Sequence, residues 1–112
     1  MELNSGQFDG VKVVSIEGSV DAMTAGQVQG YFDDLLEKGE RRIILDLSKV
    51  DFMSSAGLRV IMTVSKNLRQ EGGELRLAAA QPSVEKMLKI SGFTTILKSF
   101  SSLDAALESF QV

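Results

Sequence analysis

Residues 42–61 read RIILDLSKVDFMSSAGLRVI, and this stretch decides the predicted fold. Its first part, residues 42–47, contains a continuous apolar run, which is typical of a strand that is buried on both faces. Its last part begins a series of apolar residues at helical spacing, namely Leu58, Ile61, Met62 and Leu68. Two serines, an alanine and a glycine join the two parts. The stretch therefore predicts a buried strand followed directly by an amphipathic helix, which ends at Gly72-Gly73.

A β-hairpin is predicted at the start of the chain. Residues 3–8 and 11–16 have the composition of short strands, and Asp9-Gly10 lies between them. This pair favours a type I′ turn, because both central residues of that turn need positive φ. Gly18 is predicted to end the second strand.

The next segment predicts a helix with an apolar stripe, formed by Val28, Phe32, Leu35 and Leu36. Thr24 and Gln27 have the spacing of a capping box, and Gly39 is a typical C-terminal stop. Gly26 and Gly30 lie on one face of this helix, which indicates either close packing against the sheet or a weak helix.

The remaining chain continues the alternation of strands and helices. We predict a strand around Leu75 and Leu77, a short helix from Pro82 to near Gly92, a strand at residues 95–98 and a helix over residues 103–110. Right-handed crossovers in such an order make the middle strands parallel. The prediction is one α/β domain over residues 1–112, with a mixed, mostly parallel sheet of four to five strands, about four helices and an antiparallel N-terminal hairpin.

The composition limits the chemistry of the chain. Its net charge is 12 − 15 = −3 without a basic run, which argues against nucleic acid as a partner. With no His and no Cys, the chain cannot assemble a Ser-His-Asp or Cys-His nucleophile or a usual zinc site. No apolar run reaches the roughly 18 residues of a membrane span, and the start lacks the features of a secretion signal. We expect a cytoplasmic protein without a cofactor, a metal or enzymatic activity.

The two serines at the predicted start of the second helix have two interpretations. A helix N-terminus leaves backbone N–H groups unsatisfied and carries partial positive charge. Ser54 or Ser55 can act there simply as an N-cap, worth about 1 kcal/mol. The same position at the carboxyl edge of an α/β sheet is also where ligands and partners gather.

The segment DLSKVDFMSSAGLRVI, residues 46–61, resembles the signature of STAS-domain anti-sigma-factor antagonists. Residues 46–48 match the Asp-Leu-Ser that ends a buried strand in that family, and Phe52-Met53 match its aromatic and aliphatic pair. Ser55 matches the serine that the family phosphorylates, and Gly57-Leu58 match the residues that follow. The resemblance implies a STAS-like fold.

A second segment, IEGSVDAMTA at residues 16–25, is similar to the family's Gly-x-Leu/Val-Asp followed by a helix that opens in Thr-Ala. Asp21 occupies the acidic position of that pattern. The chain departs from the family at Ser54, where many members have Asp. We interpret Ser55 as the phosphorylation site, with Ser54 as the alternative.

The resemblance also implies partners. One is an anti-sigma factor that is also a serine kinase of the GHKL type, and another is a PPM-type serine phosphatase. The unphosphorylated antagonist binds the kinase, which then frees its sigma factor. Phosphorylation of the antagonist releases the kinase, and the phosphatase restores the unphosphorylated antagonist. The candidate partner-binding residues are Asp21, Ser54, Ser55, Gly57 and Arg59.

Several of these residues have alternative interpretations. Asp21 can be an ordinary helix-start residue, and Arg59 can be a solvated helix residue or a contact to the phosphate. We expect a monomer when free, because most apolar residues have predicted core positions. Val60 and Val64 are the candidates for an exposed apolar patch.

Two further functions stay open at this point. A STAS domain can serve as an interaction or scaffold subunit with another output, such as secretion, biofilm formation or lipid transport. A small-molecule or nucleotide module is also an alternative, although the chain has neither a P-loop nor a GxGxxG motif. Glu71 and Glu74 are interpreted as solvated charges rather than as a metal site.

Overall fold

The computed structural model describes residues 1–111 and forms a mixed sheet with strand order β1-β2-β3-β4-β5. Its elements are β1 Glu2–Phe8, β2 Val11–Val20, α1 Ala25–Glu37, β3 Arg42–Met53, α2 Ser55–Gln70, β4 Glu74–Ala78, α3 Pro82–Ile90, a 3-10 turn Phe93–Thr95, β5 Ser99–Phe100 and α4 Leu103–Ser109. The β1–β2 pair is antiparallel and the other neighbouring pairs are parallel. This confirms the predicted fold class, including the N-terminal hairpin.

The hairpin turn has the predicted geometry. Asp9 has φ 51° and Gly10 has φ 82°, and Phe8 pairs with Val11 across the turn. Asp tolerates a positive φ better than most residues, and Gly tolerates it freely. The Asp-Gly pair therefore fixes the register of β1 against β2.

Three predicted boundaries are wrong. The strand β2 continues through Gly18 to Val20, and β3 continues well beyond residue 47 to Met53. Gly18 has φ 114°, a conformation that other residues adopt with strain, and it lies at an irregularity within the strand rather than at its end. The last strand forms at residues 99–100 instead of residues 95–98, because a 3-10 turn occupies Phe93–Thr95.

The extension of β3 contains two irregularities of register. Ser15 pairs with Asp46 but Glu17 pairs with Lys49, so that β3 has one residue more than β2 in this interval. A second extra residue of β3 follows, because Gly18 pairs with Val50 but Ser19 pairs with Phe52. The side chain of Asp46 accepts a hydrogen bond of 3.0 Å from the N–H of Ser48, which satisfies a donor at the first irregularity.

The sheet has two faces that are covered differently. The larger core lies between the sheet and α1, α2 and α3, and its buried members from the helices include Val28, Phe32, Ile61, Val64, Leu68, Val84 and Leu88. A smaller core lies between the other face and α4, formed by Val11, Val13, Ile44, Ala78, Ala106 and Phe110. Val64 is buried and Val60 packs against the larger core, so the prediction of an exposed patch at these residues is wrong.

A buried arginine joins α4 to the sheet. The guanidinium of Arg76 donates to Glu74 Oε2 at 2.6 Å and to the carbonyl oxygen of Ser109 at 2.6 Å, and it lies 4.0 Å from the ring centre of Phe110. The hydrogen bond from Arg76 lowers the pKa of Glu74 below its ordinary value. Glu74 is therefore an ion-pair partner of Arg76, although its side chain is still 43% exposed.

The glycines of α1 do not pack closely. A Cβ atom built on Gly26 or Gly30 would meet no atom within 4 Å, and both residues are exposed. Close packing against the sheet is thus the wrong alternative for these positions. Gly39 ends the helix as predicted, with φ 95° and its N–H donating to the carbonyl oxygen of Leu36 at 3.1 Å.

Candidate functional site

The predicted site residues lie at one edge of the sheet. The parallel strands β2, β3 and β4 end there, and the helices that follow them begin there. Residues 19–24 comprise the last two residues of β2 and the turn before α1, and residues 52–59 comprise the last two residues of β3, Ser54 and the first residues of α2. We call these two segments together the serine edge.

The two adjacent serines have different environments. Ser54 is the N-cap residue of α2, with φ −89° and ψ 174°, and its Oγ accepts a hydrogen bond of 3.2 Å from the N–H of Gly57. Ser55 is the first residue of the helix and is exposed, and its Oγ makes no hydrogen bond to residues 1–111. The cap interpretation therefore applies to Ser54, while the hydroxyl of Ser55 remains available to a reagent from outside.

The start of α2 is held against the end of β2. The N–H of Ser54 donates to the carbonyl oxygen of Val20 at 2.9 Å. Gly57 is buried at the same contact, where an added Cβ would collide with that carbonyl oxygen and would lie 2.9 Å from Val20 Cγ1. This position therefore requires glycine, because α2 and β2 approach each other too closely for a side chain.

Asp21 organises the turn between β2 and α1. Its Oδ1 accepts hydrogen bonds from the backbone N–H of Met23 at 3.0 Å and of Thr24 at 3.3 Å. The Thr24 hydroxyl accepts from the N–H of Asp21 at 3.0 Å and donates to the carbonyl oxygen of Ser19 at 3.0 Å. Thr24 is the N-cap residue by position, but its side chain makes no cap hydrogen bond, so the predicted capping box is wrong.

Arg59 lies one turn into α2 and is exposed. In the described part of the chain its side chain makes neither an ion pair nor a hydrogen bond, while its carbonyl oxygen accepts from the Thr63 hydroxyl at 3.0 Å. Its guanidinium is therefore not committed within the fold. Together, Asp21, Ser54, Ser55 and Gly57 converge at the contact between β2 and α2, and Arg59 follows on the same helix.

Two exposed apolar residues of the serine edge were assigned no binding role from the sequence. Met23 is 94% exposed in the turn that Asp21 organises, and Phe52 is 54% exposed near the end of β3. Phe52 also lines a groove of about 240 Å³ with Val84 and Met87 of α3. The signal in the sequence was that Met23 falls outside the apolar stripe of α1.

Other kinds of site are not apparent in the described residues. None of the helices within residues 1–111 is long and apolar enough to cross a bilayer. Acidic side chains in the same range form no cluster of three or more that could hold a metal ion. The serine edge offers instead an exposed hydroxyl, neighbouring carboxylates and two apolar side chains, which suits contact with another macromolecule.

Comparisons with known proteins agree with this geometry. The family model of the STAS domain matches residues 2–106. BtrV of Bordetella bronchiseptica, named as a candidate anti-sigma factor antagonist, is 40% identical over 99% of this chain and 96% of its own. The anti-sigma F factor antagonist of Paenibacillus polymyxa is 31% identical over 92% of this chain and 89% of its own.

Solved structures show the same fold. The crystal structure of a candidate anti-sigma factor antagonist from Thermotoga maritima superposes with a TM-score of 0.93 at 25% identity, covering 98% of this chain and 95% of that one. The names of these three proteins agree with the resemblance that the serine motif indicated. The chain therefore belongs to the STAS domain family, among relatives that are named anti-sigma factor antagonists.

Proposed function

We propose that the chain is an anti-sigma-factor antagonist that is switched by phosphorylation of Ser55. In this proposal the unmodified form binds an anti-sigma factor, which is also a GHKL-type serine kinase, and so frees a sigma factor. Phosphorylation of Ser55 by that kinase ends the binding, and a PPM-type phosphatase restores it. The chain acts in the cytoplasm as one domain over residues 1–112, free as a monomer, and is a substrate of these enzymes rather than an enzyme itself.

The difference between the two serines is the observation that carries the proposal. A kinase must reach the hydroxyl that it modifies, and Ser55 is exposed at the first position of α2. The Oγ of Ser54 is occupied by the cap hydrogen bond from Gly57, and its modification would remove that cap. Access and local stability both favour Ser55 as the phosphoacceptor.

The chain needs no base of its own in this mechanism. Ser55 receives a phosphoryl group from an external donor, so the absence of His is no obstacle. The phosphate adds about −1.5 to −2 charges at neutral pH. The N-terminus of the 16-residue helix α2 stabilises such a charge locally, and the uncommitted guanidinium of Arg59 lies one turn away. We therefore expect the fold to change little on modification.

The effect of the phosphate is instead expected at the partner surface. If Ser55 lies within the interface, its phosphate is a desolvated charge for which the partner provides no counter-ion. Leaving a buried charge unpaired costs about 3–5 kcal/mol. This corresponds to a loss of affinity of roughly a hundredfold to several thousandfold. The unmodified form therefore binds, and the phosphorylated form dissociates.

Phosphopeptide mapping by mass spectrometry tests the proposal. Wild type, Ser55→Ala, Ser54→Ala and Ser54→Asp are each incubated with ATP and every GHKL-type anti-sigma kinase of the host, including one with a proven substrate of its own. Ser54→Asp is the matched control, because Asp caps a helix as well as Ser but offers no hydroxyl. We expect one phosphate on wild type and on both Ser54 variants, and none on Ser55→Ala.

Other outcomes would change the proposal in defined ways. Loss of the phosphate in both Ser54 variants, with retention in Ser55→Ala, would move the switch to Ser54. No phosphate on wild type from any active kinase would contradict the switch and favour the alternative of a STAS scaffold subunit.

A further inference from the structure

Met23 is an exposed apolar side chain on an ordered turn. It is 94% exposed, yet the backbone around it is fixed by hydrogen bonds to the carboxylate of Asp21 and by those of the Thr24 hydroxyl. A large apolar side chain in water contributes no burial to the fold. The turn therefore holds Met23 in a defined position outside the core, as a binding residue requires.

Met23 lies close to the modification site. Val20 contacts both Ser54 and Gly57 at the start of α2. Three peptide units separate Val20 from Met23, so their Cα atoms are at most about 11 Å apart. A partner surface of standard size that is centred on the start of α2 is wide enough to cover Met23 as well.

A second apolar feature lies on the other side of the modification site. Phe52 is 54% exposed, and with Val84 and Met87 it lines the groove of about 240 Å³ between the end of β3 and α3. The strand order puts β3 between β2 and β4. Along this edge the order is therefore the Met23 turn after β2, then the start of α2 with Ser55 after β3, then the groove against α3, which follows β4.

We propose that Met23 and Phe52 are the two apolar anchors with which the unmodified chain binds its anti-sigma factor, an inference that rests on the proposed function. The occupant of this surface is a patch of the partner that is apolar opposite the two anchors and carries no cation opposite Ser55. The charge argument supports this chemistry. A phosphate on Ser55 weakens binding only if the facing surface has no cation to pair with it.

This surface explains how one hydroxyl can control the whole contact. Aromatic and methionine side chains supply much of the affinity of interfaces from few positions, and they do so only when water is excluded around them. A phosphate between the two anchors keeps its hydration shell and separates both of them from the partner. Binding then fails although neither anchor has changed.

Affinity measurements on single variants test the inference. Met23→Ser and Phe52→Ser, in the otherwise unmodified chain, are titrated by calorimetry with the anti-sigma kinase that binds wild type, in ADP to prevent phosphorylation. Phe8→Ser is the matched control, since Phe8 is 50% exposed but pairs with Val11 at the start of β2, far along that strand from the serine edge. We expect about tenfold to hundredfold weaker binding for each anchor variant and wild-type affinity for Phe8→Ser.

The design separates this inference from the function on which it rests. If Ser55→Glu abolishes binding while Met23→Ser and Phe52→Ser bind like wild type, the switch stands and the anchors are refuted. An equal loss in Phe8→Ser would also refute them, because the effect would not belong to the serine edge. If wild type binds no anti-sigma kinase of the host, the proposed function is overturned and the inference with it.

Discussion

The backbone N–H of Ser54 donates a hydrogen bond of 2.9 Å to the carbonyl oxygen of Val20. This bond joins the start of α2 to the end of β2, and Gly57 packs against the same carbonyl group. Asp21, which organises the adjacent turn, is the next residue after Val20. The segment that carries the exposed hydroxyl of Ser55 and the turn that presents Met23 are therefore joined through this hydrogen bond.

The two serines should differ in their contribution to stability. Ser54→Ala removes the cap of α2 and should lower the free energy of unfolding by about 1 kcal/mol. Ser55→Ala removes only an exposed hydroxyl and should change it by less than about 0.5 kcal/mol. Urea denaturation monitored by circular dichroism measures both, with Ser54→Asp as the variant that keeps the cap. Equal losses for Ser54→Ala and Ser55→Ala would contradict the assignment of the cap.

Replacing glycine by alanine should have opposite effects at two positions. Gly30→Ala adds a methyl group in open space within α1, which should raise the free energy of unfolding by about 0.5–1 kcal/mol. Gly57→Ala drives a methyl group into the backbone of Val20 and should lower it by about 1–3 kcal/mol. The same urea experiment measures both changes. Stabilisation by Gly57→Ala would show that helix and strand are not in close contact there.

Ala79 should carry backbone strain that glycine relieves. It follows β4 with φ 58°, a conformation that disfavours any residue with a Cβ atom, and its N–H donates to the carbonyl oxygen of Phe100 at 2.9 Å. Ala79→Gly should therefore raise the free energy of unfolding by about 0.5–1 kcal/mol. The neighbouring Ala80→Gly is the control, since it gives the unfolded chain more freedom and relieves no strain, and it should lower stability. A loss of stability in both variants would contradict the strained geometry.

Acid should weaken the contact between α4 and the sheet. The hydrogen bond from Arg76 lowers the pKa of Glu74 in the folded state below its ordinary value of 4.5. The stabilisation from this group is thus complete above pH 4.5 and is lost as the pH falls through the lower, folded value. Urea denaturation at a series of pH values should show a shallower acid loss in Glu74→Gln than in wild type. Parallel pH profiles for the two proteins would refute the coupling.

The order of elements could be predicted from the sequence, but the extent of β3 could not. In a regular strand the buried residues alternate, whereas in the second half of β3 they are Leu47, Val50 and Met53, at every third position. Each of the two register irregularities adds one residue to β3, and this changes the spacing. A pattern with period three is typical of neither a strand nor a helix, which is why the strand was predicted to end at residue 47.

The position of the site could be predicted from the sequence. Which of the two serines caps α2 and which is exposed could not. The motif indicated that a serine at the start of α2 matters, and the family pattern favoured Ser55 over Ser54. Only the hydrogen bond from Gly57 to Ser54 shows which hydroxyl the helix itself uses. The role of Thr24 was also mistaken, because its hydroxyl is engaged by the preceding turn, a competition that the spacing of a capping box does not reveal.

The affinity of the anti-sigma kinase for the chain before and after modification tests the central claim most directly. Wild type is phosphorylated on Ser55, separated from the unmodified form by ion exchange, and both forms are titrated with the kinase in ADP by calorimetry. The account predicts that the phosphorylated form binds roughly a hundredfold to several thousandfold more weakly, while both forms keep the same circular dichroism spectrum. Equal or tighter binding by the phosphorylated form would contradict the claim that Ser55 is the switch.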